Sequence, residues 1–477
     1  MAPVTEDRAG AARSRRWMAG VTLVVSLYVA SAGGALTRAS AGNAPADELT
    51  LRNASGVLRT LHTAGAIDPE QPFFQDLGTN GRACVTCHQP AQAWTITPAE
   101  VRERFDRTDG LDPIFRSNDG SNCQAADVST IDARRRAFSL LLTKGLIRID
   151  LRVPADAQFR IIDVDDPYRC GTERATVSVY RRPLPSTNLA FVSAVMWDGR
   201  ESSPGRAIRD DLLIQARNAI TGHAQGAAPS DAQLAAIVDF ELGLFSAQAL
   251  DRSTGSLSVQ GAAGGPERLQ SEPFCIGIND PLGMLPAMPG ACASSSPGLN
   301  PNVFTLFGAW ATAASPERQA IARGEAIFNT RQFVIDNVAG LNGGPVDPVP
   351  GPLQTGTCTV CHDTPNAGNH SVPMALNLGI ADASRRTPDL PLFTLRNWTT
   401  GEIMQTTDPG RALITGRWRD VGKMKGPVLR ALAARPPFFH DGSAATLADV
   451  VEFYDKRFHL QLSELQKADL IAFLRAL

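Results

Sequence analysis

The pentapeptide Cys84-Val85-Thr86-Cys87-His88 returns later in the chain as Cys358-Thr359-Val360-Cys361-His362. Two thiols one short turn apart can add to the two vinyl groups of a porphyrin. The histidine that follows then falls beneath the iron as its fifth ligand. A structural zinc site built from two CxxC pairs is the competing chemistry. It would have to join pairs that are far apart, and it leaves unexplained why a histidine follows each second cysteine. The spacing therefore predicts two covalently bound haem c groups. Cys84, Cys87 and His88 hold one and Cys358, Cys361 and His362 the other, with His88 and His362 as metal ligands.

A chain of 477 residues has room for two or three domains around these motifs. A hydrophobic fraction of 43% and a charged fraction of 20% are ordinary for a globular protein. A net charge of -2 offers no basic face for nucleic acid or for an acidic membrane surface. The 41 glycines and 33 prolines point to long loops between helices. At the start, Arg13, Arg15 and Arg16 precede an apolar run from Met18 to Leu36 and the small residues Ala39-Ser40-Ala41. Residues 1–41 therefore read as an export signal, with cleavage favoured over an uncleaved anchor; only the anchor would bring a membrane into play. Twin arginines stand at Arg15-Arg16, but haem is attached to an unfolded chain after export, which argues against a folded-state exporter. The expected location is the periplasm of a Gram-negative cell. Four cysteines lie outside the haem motifs, and an oxidising compartment suggests two disulfides, Cys123–Cys170 and Cys275–Cys292 by proximity.

The expected fold is mainly α, two c-type cytochrome domains with loop-rich insertions and a small β insertion. Residues 43–250 form the first haem domain, with an insertion over about 105–180. Residues 251–315 form a linker or excursion, and 316–477 the second haem domain. Thr97-Pro98-Ala99-Glu100 reads as a helix start, as do Ser315-Pro316-Glu317-Arg318, Thr446 and the capping box Ser463/Gln466. Helices are also expected at 133–142, 207–219 and 231–247. Ile147 to Val153 alternates with period two, which predicts a strand, with 159–164 and 175–180 as its partners. Leu51 to Leu61 is an amphipathic stretch, and Trp94 is expected against a porphyrin edge.

Two further motifs carry a resemblance: Met196-Trp197-Asp198-Gly199-Arg200 between the haem motifs, and Phe438-Phe439-His440-Asp441-Gly442-Ser443 after the second. With the closing run from Thr446 to Leu477, these resemble the bacterial dihaem cytochrome c peroxidases, including their MauG-like branch. The resemblance covers most of 75–100, 180–250 and 316–477, and leaves out 105–175 and 251–315. It implies that hydrogen peroxide reacts at the first haem and that Trp197 relays oxidising equivalents to the second. An external donor refills them: a small cytochrome, a cupredoxin, or a protein substrate being oxidised.

Compact members place a removable histidine ligand shortly after the first motif. Here no histidine stands between His88 and His223, which implies a permanently open iron face. Where compact members place a methionine ligand for the second haem, this chain has Tyr454, as the MauG-like proteins do. An oxygen ligand lowers the iron potential. Met404, Met424 and His459 are the alternatives. Gln215 matches the family's distal glutamine. At the position of the family's catalytic glutamate stands Gln225, so His223 is the expected acid–base group, with Gln225 second. An inter-haem calcium would draw on Pro437 and Arg435, with Asn188 or Arg182 at the place of the family's asparagine. Two other readings remain. One is an electron carrier with both irons six-coordinate, and the other a dioxygen-using dihaem oxygenase of the rubber-cleaving type.

Overall fold

The stretch from Leu51 to Leu61 owes its alternation to a hairpin. Asn53 Oδ1 accepts from the backbone N–H groups of Ser55 and Gly56, both at 2.9 Å, and so closes the turn. Gly56 sits at φ +152°, and a Cβ there would lie 1.9 Å from the Leu250 carbonyl oxygen of the neighbouring strand. The computed structural model describes residues 48–170, 175–272, 274, 278–279, 299–342, 355–369 and 375–477. The expected export segment and the expected Cys275–Cys292 bridge lie outside them.

The first elements are β1 (Glu48–Asn53), β2 (Gly56–His62), α1 (Pro98–Thr108), α2 (Ile131–Ala137), α3 (Ser139–Lys144), β3 (Ile147–Arg152), β4 (Phe159–Asp165) and β5 (Thr176–Arg181). Then come α4 (Ile208–Gly222), α5 (Asp231–Gly243), β6 (Leu244–Asp251), β7 (Gly255–Ser256), α6 (Pro266–Ser271) and α7 (Pro316–Thr330). The chain closes with β8 (Leu392–Asn397), β9 (Ile403–Thr406), α8 (Ala412–Thr415), α9 (Leu447–Arg457) and α10 (Glu464–Ala476). Single 3-10 turns hold both CxxCH motifs. Among the described residues no helix is long and apolar enough to cross a membrane.

The expected helix starts at Thr97, Ser315, Thr446 and Ser463 all cap helices, each side chain accepting from a backbone N–H three residues on. Three expectations need correction. The helix expected at 133–142 is two helices, because the Asn122 side chain enters the break. Its amide donates to Arg136 O (3.2 Å) and Ser139 Oγ (2.7 Å), and its carbonyl accepts from Leu140 N (3.3 Å). The helix expected to reach Ala247 stops at Gly243. Leu244 to Gln248 are buried without a break, as suits a strand lying between β2 and β7. Finally, β3 pairs with β5 as expected, but β4 pairs with β8 from the other half of the chain. Phe159 and Ile161 of β4 bury themselves with Phe393 and Leu395 of β8, and that apolar contact selects the partner. The expected bridge Cys123–Cys170 is formed, with a Cα separation of 5.4 Å.

One apolar cluster gathers Phe73, Trp94, Leu212, Ile220 and Phe240 against Cys84 and Val85 of the first motif. Another gathers Phe304, Phe307, Ile321, Phe328, Val360 and Phe473 against Cys358, Cys361 and Tyr454. Its Leu257, Phe304 and Trp310 come from the segment expected to be a linker. The two halves are tied together by a buried ion network. Arg181, at the end of β5, has no exposed surface; Nε and Nη2 bind Asp408 at 2.6 and 2.9 Å, and Nη1 binds Asp198 at 2.5 Å. Replacing Arg181 with alanine strips the buried Asp408 of its guanidinium and leaves the buried Asp198 with Arg200 alone. The variant should lose about 3–5 kcal/mol of stability, read from its denaturant midpoint and slope.

Candidate active site

The two CxxCH turns share one geometry. Cys87 N and His88 N donate to Cys84 O at 3.2 and 3.0 Å, and Cys361 N and His362 N donate to Cys358 O at 3.3 and 3.1 Å. Each imidazole then meets a carbonyl six residues on: His88 Nδ1 lies 3.0 Å from Trp94 O, and His362 Nδ1 lies 2.9 Å from Gly368 O. A carbonyl only accepts, so Nδ1 carries the proton and Nε2 keeps its lone pair for a metal. Burial keeps both rings neutral, lowering His88 to about 4 and His362 as well. Burial pushes the thiols up, Cys87 to about 11 and Cys358 and Cys361 to about 12. Cys84 packs in one apolar cluster and Cys358 and Cys361 in another, so the two CxxC pairs do not combine into one zinc site. Among the described residues no cluster of three His, Cys, Asp or Glu is placed to hold a metal ion.

Each histidine faces a cavity. His362 shares one of about 1720 Å³ with Cys358, Cys361, Met424 and Tyr454. His88 shares one of about 1010 Å³ with Gln215, His223 and Glu241. Arg182 and Lys425 line both cavities and Arg435 lines the larger. Burial lowers Lys425 to about 8, Arg182 to about 9 and Arg435 to about 10, with no carboxylate among the described residues acting on them. Among the described residues Arg435 Nε has no partner. Cations left uncompensated in a cavity wall call for an anionic occupant, and the two carboxylates of a haem meet that need. Tethering thiols, an oriented imidazole and waiting cations all fit a c-type haem.

The expected site residues are distributed as follows. Trp197 lines both cavities. Its indole N–H donates to Arg182 O at 2.8 Å and its ring stands edge-on to His440 at 6.2 Å. The Asp198 and Gly199 that follow it are locked in place. Gly199 adopts φ +70°, and a Cβ there would lie 2.6 Å from Arg411 Nη1, which donates to Asp198 O at 3.0 Å. Tyr454 stands on α9 in the His362 cavity, and burial raises its phenol. Of the alternative ligands, Met424 lines that cavity, Met404 packs in the β4–β8 cluster, and His459 is exposed.

On the other side Leu212, Gln215, Ala219 and His223 present one face of α4 to the His88 cavity. Gln225 does not join them. It stands exposed at φ +54°, where its carbonyl accepts from Thr79 Oγ1 at 2.9 Å. Trp94, expected against a porphyrin edge, lines neither cavity: it is fully buried beside Phe73 and Phe240, and its N–H donates to Thr60 Oγ1 at 3.1 Å. Its contribution is the carbonyl on His88.

Two acids were missed. Glu241 bonds to Ser186, whose Oγ lies 2.9 Å from His88 Nδ1, and burial pushes it up to about 7. Its sequence signal is weak, one of two acids alternating with apolar residues in Ile237–Leu242, the other being Asp239. Asp119 meets the His223 ring from inside the insertion.

The calcium expected between the haems does not fit. The Arg182 guanidinium occupies the carbonyl oxygens there, donating to Ile96 O (2.8 Å), Lys144 O (2.9 Å) and Arg435 O (3.4 Å). The Asn188 amide is used up on the backbone of Ser246, at 2.9 and 3.0 Å. A cation already sits where hard oxygen donors would have to converge.

No family model matches the chain. The chain is similar to cytochrome-c peroxidases. It is 32% identical to a cytochrome-c peroxidase, IdrP1, of Denitromonas iodatirespirans, over 25% of this chain and 36% of the relative. It is 30% identical to that organism's IdrP2, over 26% and 36%, and 29% identical to the IdrP1 of Pseudomonas sp. (strain SCT), over 25% and 36%. The match thus spans about a third of the length of these relatives (36%). Prolonged treatment with a calcium chelator should leave the absorption spectrum and melting temperature of the holoprotein unchanged. A drop in melting temperature that added calcium reverses would show that an ion is held after all.

Proposed function

We propose that the chain is an exported dihaem peroxidase of the MauG-like branch, its haem-binding halves being 43–250 and 316–477. The observation that carries the reading is a pair of unlike cavities sharing Trp197 in their common wall: Gln215 and His223 stand in one with His88, and Tyr454 in the other with His362. Bound haem c supplies the electrons that break the O–O bond and stores the oxidising equivalents that result.

This chain's own groups do the rest. His88 and His362 present Nε2 to the two irons, and Lys425, Arg182 and Arg435 neutralise the haem carboxylates. Tyr454 offers its oxygen to the second iron. The Gln215 amide orients hydrogen peroxide beside the first. His223 takes a proton from one peroxide oxygen and returns it to the other, so that one oxygen leaves as water. Trp197, with its N–H anchored on Arg182 O, keeps a fixed indole between the two centres. A redox protein, a small cytochrome or a cupredoxin, or a protein substrate would return the electrons, in the periplasm.

The ferric holoprotein should show one high-spin and one low-spin haem by EPR, and peroxide titration should change both. Two low-spin signals and no response to peroxide would make it an electron carrier instead. A stable dioxygen complex, with peroxide inert, would favour the oxygenase. Tyr454→Phe should alter the spin state or coordination of one haem only; an unchanged spectrum removes Tyr454 as a ligand. His223→Ala should slow the peroxide reaction by about 10²–10⁴-fold in stopped-flow mixing, with haem content intact.

A further inference from the structure

We propose that Asp119 is a positioning residue for His223: it holds the proton on Nδ1, leaving Nε2 as the base that faces the cavity. The proposal rests on the acid–base reading of His223 and extends it to a residue in the insertion, which the peroxidase resemblance does not cover.

The geometry is specific. One Asp119 oxygen is hydrogen-bonded to His223 Nδ1, and the other accepts from Arg82 Nη1 at 2.5 Å. Asp119 is only 6% exposed. Its own backbone is pinned as well, because its carbonyl accepts from Arg148 N of β3 at 2.7 Å. The backbone beneath the imidazole is gripped from the segment just before the first haem motif: His223 O accepts from Asn80 Nδ2 at 2.8 Å and from Arg82 Nη1 at 3.2 Å. Arg82 is itself fixed by Pro113 O and Ile114 O, both at 2.8 Å. Ring and backbone of His223 are therefore both held, by groups from either end of the 82–119 stretch.

The chemistry follows from what each group can donate. Burial pushes the Asp119 carboxyl up, but the bond from His223 and the charge of Arg82 outweigh it and hold the group below its ordinary range. As a carboxylate it can only accept, so Nδ1 must be the donor and Nε2 carries the lone pair. Arg82 also keeps Asp119 from taking the proton itself. When Nε2 picks up a proton from one peroxide oxygen, the imidazolium gains a carboxylate partner; when the proton passes to the other oxygen, the imidazole returns to the same tautomer. No net proton stays on the protein. Among the described residues the other charged or titratable groups near the pair include Arg82, the Cys87 thiol and, in the cavity, His88, Glu241 and Arg200.

The test uses ferric holoprotein and two probes, hydrogen peroxide and cyanide. Hydrogen cyanide must lose its proton to bind a ferric haem, so its association rate reads the same base without turnover. Asp119→Asn should slow both associations by about 10–100-fold, with haem content and the resting spectrum unchanged. His223→Ala should slow both at least as much, and the double variant should be no slower than His223→Ala alone. Asp119→Asn at wild-type rates beside a slow His223→Ala overturns the proposal, as do losses that multiply in the double variant. A His223→Ala protein at wild-type rates removes instead the acid–base reading on which the proposal stands. If Asp119→Asn does not fold, ring-nitrogen NMR of the 15N-histidine-labelled wild-type protein decides the matter. His223, assigned by its loss in His223→Ala, should carry its proton on Nδ1; a proton on Nε2 overturns the proposal.

Discussion

The indole between the two cavities can hold its place only because the residue after it is nailed down. Asp198 is wholly buried and would be unaffordable there alone, yet Arg181 and Arg200 both reach it. Arg181 in turn spends its other two donors on Asp408, in the second half of the chain. One guanidinium thus fixes β5, the turn carrying Trp197 and the loop after β9 relative to one another. The opposite end of the same contact is His440, whose ring meets Trp197 edge-on and whose carbonyl accepts from Arg182 N at 2.7 Å. Two strong motifs of the sequence, the one around Trp197 and the one around His440, turn out to be two sides of one interface. Their distance in sequence hides what their hydrogen bonds show.

Positive charge is distributed by the same logic. Arg181 is fully paired with carboxylates, whereas among the described residues its neighbour Arg182 finds only carbonyl oxygens and no carboxylate acts on Arg435 or Lys425. Arg181 ends β5 and Arg182 follows it, and successive side chains of extended backbone point to opposite faces. Here one face closes the fold and the other opens on the cavities. Arg181 serves stability with its charge satisfied, and Arg182 keeps a charge in reserve for the occupant. The same Arg182 makes a bound divalent ion superfluous, because it brings three carbonyls from separate segments together by donating to them.

What the sequence shows well is chemistry confined to a few consecutive residues. The CxxCH turns and the four helix caps need only near neighbours, so local propensity settles them. Tyr454 and Trp197 could be singled out because each stands at a fixed distance from a motif. The misses are all long-range. Nothing near Phe159 says that β8 is its partner; that is decided by Phe393 and Leu395, which arrive much later in the chain. The helix after Asp231 stops because a hairpin from the start of the chain offers Leu244 a sheet. Asn122 splits a helix from outside it. Gln225 was drawn in by counting along the sequence, but the left-handed turn at its own backbone carries its side chain away from the cavity.

The insertion is the part that sequence comparison discounts most and structure discounts least. Its strand β4 adds an edge to the β8–β9 sheet of the second half, its strand β3 steadies the loop that bears Asp119, and its disulfide secures the far end of that loop. It meets the rest of the chain through the apolar side chains of β4 and also through a carboxylate that holds an imidazole and an arginine two residues before the first haem motif. An imidazole has two nitrogens, and a part in moving protons needs one of them assigned. In the proposed reading His223, which closes α4, and the acid in the insertion therefore make physical sense together.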